Sequence, residues 1–75
     1  MSKEELRLKI LQELNEGRQP NHEDFPGVTE PEWRAAAIFL KDGGYIKNIT
    51  ISMNTKYLFA EITEDGENYL KQHTL

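Results

Sequence analysis

Cysteine is absent from this 75-residue chain, so neither disulfides nor thiolate metal sites can supplement its core, and a reducing compartment is favoured. Long apolar runs are missing as well. The longest, Ala35 to Leu40, is far too short to cross a membrane, and the charged start "MSKEELRLK" lacks the apolar segment of a signal peptide. A cytoplasmic protein with no membrane partner is therefore expected. Positive charge is also short: nine basic residues face thirteen acidic ones, for a net charge of −4. That sign argues against nucleic-acid binding through a generally basic surface. Only residues 43 to 62 are net positive, with Lys47 and Lys56 against Glu61, so any electropositive face must be made locally by folding. The length allows one small domain, residues 1–75, which buries only about 60% of the surface its unfolded chain would expose.

What is present is a series of well-punctuated elements. Between Lys3 and Glu16, Leu6, Ile10 and Leu14 recur every fourth residue with Leu11 beside them, the pattern of an amphipathic helix, and Gly17 is placed to end it. Leu8 falls nearly opposite this stripe and is expected to be an ordinary exposed leucine. In "RQPNHEDFPGV", Asn21 can cap one helical turn from His22 to Phe25 before Pro26-Gly27 changes the direction of the chain. Thr29 and Glu32 then make an S/T-x-x-E capping box, in which each side chain is expected to satisfy the other residue's backbone N–H. Val28 and Trp33 occupy the positions of a hydrophobic staple, and Pro31 sits in the first turn, where its missing N–H costs nothing. At about 100° per residue, Ala36, Ala37 and Leu40 share the face of Trp33, Phe39 flanks it, and Arg34, Ala35, Ile38 and Lys41 look away. Gly43-Gly44 stops the helix.

Two β-favouring runs follow, Tyr45 to Ser52 and Lys56 to Ile62, separated by the turn-prone Asn54-Thr55. Thr63 can cap a last helix from Glu64 to Gln72, with carboxylates in its first turn and Lys71 and His73 near its end, as the helix dipole favours. The order is helix, short helix, turn, helix, hairpin, helix. This predicts an α+β fold of the winged-helix type, a helix-turn-helix followed by a β-hairpin wing and a C-terminal helix.

Three segments, "LRLKILQELNEG", "GVTEPEWRAAAIFLKDGGYI" and the ending Ile62-Thr63-Glu64-Asp65-Gly66-Glu67-Asn68-Tyr69-Leu70, resemble the YjcQ family of small bacterial and phage-related winged-helix proteins. The resemblance covers most of the chain. It implies the winged-helix fold, a cytoplasmic bacterial or prophage setting, and a family without an assigned catalytic activity.

The residues themselves offer little catalytic chemistry. Adjacent His22, Glu23 and Asp24 cannot converge on one metal ion without distant partners, and a solvated turn explains them better. Ser2 and Ser52 lack a nucleophile-elbow context, and Gly43-Gly44 lacks a phosphate-loop pattern. Glu4-Glu5 and Glu64-Asp65 sit at helix starts, where the dipole explains them. The expectation is a protein that is not an enzyme and uses no metal, cofactor or small-molecule substrate.

What remains is binding, with double-stranded DNA as the leading partner. In a helix-turn-helix the second long helix enters the major groove. Here the 29–42 helix offers Arg34 as a base-reading side chain, Ala35 and Ile38 for thymine methyl groups, and Lys41 for phosphate, while Lys47 and Lys56 sit on the 45–62 wing. Glu30 and Glu32 oppose phosphate approach at that helix's start. Four cations are a thin footprint for a monomer, and a weak homodimer, with Leu8, Ile38 and the wing aromatics as candidate contacts, would double it. The alternative is a protein-interaction module presenting Arg34, Ala35 and Ile38 as an apolar patch with one arginine anchor.

Overall fold

Three helices, α1 (Lys3–Asn15), α2 (Glu30–Asp42) and α3 (Glu64–His73), accompany two antiparallel strands, β1 (Ile46–Thr50) and β2 (Phe59–Ile62), in the computed structural model of the chain. It describes residues 2–50 and 59–73, so Lys56, Asn54-Thr55 and the outer parts of both predicted strands lie outside the described residues. The architecture is α+β and compatible with the expected winged helix.

Local chemistry sets the boundaries. Ser2 caps α1 by accepting from the Glu5 N–H at 3.1 Å. At its other end Gly17, at φ +82°, donates its N–H to the Leu14 carbonyl while Arg18 donates to that of Glu13, the paired bonds of a Schellman stop. The end of α2 repeats the device with Gly44 at φ +75°, whose N–H reaches Lys41 while that of Tyr45 reaches Leu40. Asn21 caps a single 3-10 turn, His22–Asp24, through its bond from Glu23 N–H at 3.0 Å. The expected helical turn is thus tighter and ends before Phe25, which is buried. Pro26-Gly27 forms a β-turn closed by Val28 N–H to the Phe25 carbonyl, with Gly27 at φ +84°.

At the start of α2 the Thr29 hydroxyl accepts from Glu32 N–H at 3.3 Å, as predicted. The reciprocal half differs: the Glu32 carboxylate accepts a hydrogen bond from the Thr29 hydroxyl, at 3.0 Å, instead of from the backbone N–H. Val28 and Trp33 are both buried, and Phe25 lies against the Trp33 ring with centroids 5.2 Å apart.

α1 meets α2, α3 and β2, so it is covered on more than one side. This corrects the reading of Leu8, which is half-buried and packed against the core instead of being exposed. Ile10, Leu11 and Leu40 are sealed from solvent, each burial contributing roughly 1.5–3 kcal/mol against the entropy of ordering the chain. Trp33, Ala36, Ala37 and Leu40 form the buried face of α2, as the helical wheel requires.

The sheet contains a feature the alternating pattern did not reveal. Ile46 pairs with Ile62 and Lys47 with Glu61, but Thr50 pairs with Phe59, so β1 carries one extra residue between Lys47 and Thr50. Asn48 sits there at φ +55°, in a region asparagine tolerates better than most residues, and its amide donates to Glu61 at 2.8 Å. The bulge changes the phase of the strand. Ile46 is buried and Ile49, three residues later, also packs on the core, which a regular strand would forbid.

Thr63 joins three elements. Its hydroxyl accepts from Gly66 N–H at 3.1 Å, capping α3, and donates to the Gly44 carbonyl at 2.7 Å, tying α3 to the end of α2. Thr63→Ala is expected to cost about 1–2 kcal/mol, read as a lower urea midpoint by Trp33 fluorescence, with Thr63→Ser restoring most of it. An unchanged midpoint for the alanine variant contradicts this role.

Candidate nucleic-acid interface

The outward strip of α2 follows from its buried one. With Trp33, Ala36, Ala37 and Leu40 turned inward, Ala35 and Lys41 are exposed, and Ile38 keeps 51% of its surface in solvent. That is an uncommon degree of exposure for an isoleucine in so small a chain, where core is scarce. Ile38 and Lys41 line a cleft of about 450 Å³ with Ile46, Lys47, Asn48 and Ile49 of β1. Three of the six predicted residues, Ile38, Lys41 and Lys47, are therefore brought to one place. Neither lysine makes an ion pair among the described residues.

Arg34 is placed differently. Its guanidinium donates to Glu30 through Nη2 at 2.9 Å and Nε at 3.1 Å, an i,i+4 pair on the same helix. An exposed pair of this kind is worth about 0–1 kcal/mol, less than the roughly 1–3 kcal/mol of a bidentate arginine contact to a base, so Glu30 can be exchanged for a stronger acceptor. Ala35 lies on the other flank of α2, in a second cleft that it shares with the first two turns of α1. Lys56 is outside the described residues.

Sequence reasoning missed Asn48, which lines the first cleft only because the bulge turns it there. The signal was available in principle, since asparagine in a strand is a candidate left-handed residue. It also missed Arg7, whose guanidinium carbon lies 3.5 Å from the centroid of the Phe39 ring, a cation–π contact joining α1 to α2. Phe39 in turn stacks on Tyr45, which meets Tyr69, and Tyr69 meets His73 at 4.4 Å. Partial burial, helped by the charge of Glu4, holds the Tyr69 hydroxyl above the usual tyrosine range.

Both histidines have partners in the fold. His22 lies beside the Trp33 ring at 6.1 Å and its Nε2 faces the Val28 carbonyl, so that nitrogen must donate and carry the proton. His73 is the last residue of α3, one beyond the expected Gln72, and its Nδ1 lies 2.8 Å from the Glu4 carboxylate. No described helix is long and apolar enough to cross a membrane.

No family model matches the chain. It is 43% identical over 76 aligned residues to the uncharacterized protein YjcQ of Bacillus subtilis (strain 168), an alignment that spans 97% of this chain and 81% of that protein. The chain belongs to the YjcQ family. The solution NMR structure of Bacillus subtilis YjcQ matches its fold with a TM-score of 0.71 at 44% identity, covering 91% of each chain.

Within this YjcQ-family chain the ending that carried part of the resemblance has a structural explanation. Thr63 caps α3, Tyr69 stacks on Tyr45, and Leu70 enters the core. A Cβ on Gly66 would lie 2.2 Å from the Tyr45 carbonyl oxygen, so that position must remain bare. These residues build the junction that fixes β2 and α3 against the end of α2. The outward strip of α2 has no such structural role.

Proposed function

We propose that this YjcQ-family chain is a winged-helix protein that binds double-stranded DNA, with α2 in the major groove and the strands acting as the wing. Its role is that of a small bacterial or prophage regulator in the cytoplasm, with no catalytic activity. The observation that carries this reading is the meeting of Lys41 from α2 and Lys47 from β1 at one cleft, both without an ion pair among the described residues. Cations held by two elements beside an exposed helix suit phosphates, while Arg34, Ala35 and Ile38 suit base edges.

An NMR titration with duplex DNA at low salt is expected to shift Arg34, Ala35, Ile38, Lys41 and Lys47 first. Lys56 should follow if the wing makes contact. Affinity is expected to fall with added salt, with a log–log slope of about 0.9 per phosphate neutralised. No shift even at low ionic strength ends this reading.

A protein-interaction module is the second reading, favoured by two observations. Ile38 is half exposed, and Arg34 is already paired while Glu30, Glu32 and Asp42 are exposed on the same helix. It is supported if the chain ignores DNA but self-associates in solution, with Ile38 protected on association.

A further inference from the structure

The exposed strip of α2 is a ridge between two clefts. On the β1 side are Ile38, Lys41 and Lys47. On the α1 side a cleft of about 290 Å³ is bounded by the cap Ser2, by Lys3, Leu6 and Arg7 of α1, and by Pro31, Glu32, Ala35 and Ala36 of α2. On the helical wheel, at about 100° per residue, Ala35 and Ile38 straddle the crest, with Ala36 and Phe39 descending toward α1 and Arg34 and Lys41 toward β1. The α1 side of the ridge thus carries Lys3 and Arg7, and the β1 side carries Lys41 and Lys47 together with Arg34, which is paired with Glu30.

We propose that Lys3 and Arg7 form a second phosphate-contacting wall, so that the two strands of a duplex are gripped on opposite sides of α2. The inference rests on the DNA-binding reading above and extends it to a helix that sequence reasoning left out of the interface. A helix with its side chains is about 10–12 Å across and the major groove about 12 Å wide, so a helix seated in the groove has a phosphate backbone on each flank. Lys3 makes no ion pair among the described residues. Arg7 is held in place by the Phe39 ring beneath its guanidinium, and its Nε is buried without a hydrogen-bond partner. Stacking uses the face of the guanidinium, and its edge, which also meets the Tyr69 hydroxyl, keeps further donors for an anion. Glu32 lies in the same cleft with its carboxylate engaged by the Thr29 hydroxyl, so the wall carries two cations against one anion.

The test is fluorescence anisotropy with a labelled mixed-sequence duplex of about 20 base pairs, across a salt series, for variants whose folding is checked by Trp33 fluorescence. Lys3→Gln and Lys47→Gln are each expected to reduce the log–log salt slope by about 0.9, through walls on opposite sides. Arg7→Lys keeps the charge and should keep the slope, whereas Arg7→Gln should reduce it. Lys9→Gln is expected to change nothing, because Lys9 lines a different cleft with Gln12, Glu13, Glu16 and Arg18. Wild-type binding whose slope responds to Lys47→Gln but not to Lys3→Gln or Arg7→Gln overturns the second wall and leaves the DNA reading intact. Absence of wild-type binding at low salt overturns both.

Discussion

Gly66→Ala is expected to destabilise the fold by about 2–3 kcal/mol or more, although alanine is the better helix former by about 1 kcal/mol. The added Cβ would lie 2.2 Å from the Tyr45 carbonyl oxygen and 2.8 Å from Ile62 Cγ1. Relief is difficult because that carbonyl accepts the Thr63 N–H at 3.0 Å, and Thr63 in turn caps α3 and binds Gly44. Moving one partner disturbs all of them. For a chain this short, total stability is on the order of 4–11 kcal/mol, so the loss removes a large fraction of it. Urea denaturation followed by the single tryptophan is the measurement. Asn68→Ala, at an exposed position of the same helix, should shift stability by less than about 0.5 kcal/mol. A Gly66→Ala protein as stable as the parent would show that the close approach is dispensable. Gly43 offers a useful contrast: its Cβ would meet the Tyr45 ring at 2.4 Å, a side chain that can rotate away at less cost than a hydrogen-bonded backbone.

The contrast between these glycines marks where sequence was legible and where it was not. Caps and stops were readable because they rest on bonds between residues two to five apart: Thr29 to Glu32, Asn21 to Glu23, Gly17 and Gly44 at the ends of their helices. The buried face of α2 was readable because 3.6-residue periodicity leaves only one apolar stripe there. Leu8 was misread because the helical wheel assumes one buried side, whereas α1 is packed by α2, α3 and β2. The bulge at Asn48 was missed because it is defined by the register with β2, in which Lys47 faces Glu61 but Thr50 faces Phe59, and not by the pattern of β1 alone. For the candidate interface, the composition of the α2 strip could be read, but not the pairing of Arg34 with Glu30. The meeting of Lys41 with Lys47, and the approach of Lys3 and Arg7 from α1, depend on tertiary contacts that no local pattern encodes.

Ile38→Lys is expected to give opposite results under the two functional readings. With 51% of its surface exposed, Ile38 can be replaced at a stability cost within about 0.5 kcal/mol, so a change in binding reports on contact and not on folding. If α2 occupies a DNA groove, the new cation sits between two phosphate backbones, and affinity for a mixed-sequence duplex should rise, with the salt slope steepening by about 0.9. Ile38→Glu should then weaken binding by about tenfold or more at low salt, because a carboxylate joins Glu30 and Glu32 on the same helix. If instead Ile38 anchors a protein interface, both substitutions remove an apolar contact and bring in a charge that association must desolvate. Self-association should then fall by about 2 kcal/mol in both variants, with no gain toward DNA in the lysine form. Anisotropy with the duplex and the mass in solution, measured on the same three proteins, separate these cases. A lysine variant that gains no affinity for DNA at low ionic strength would remove α2 from the groove, because a cation on the crest of a groove-seated helix cannot be electrostatically silent.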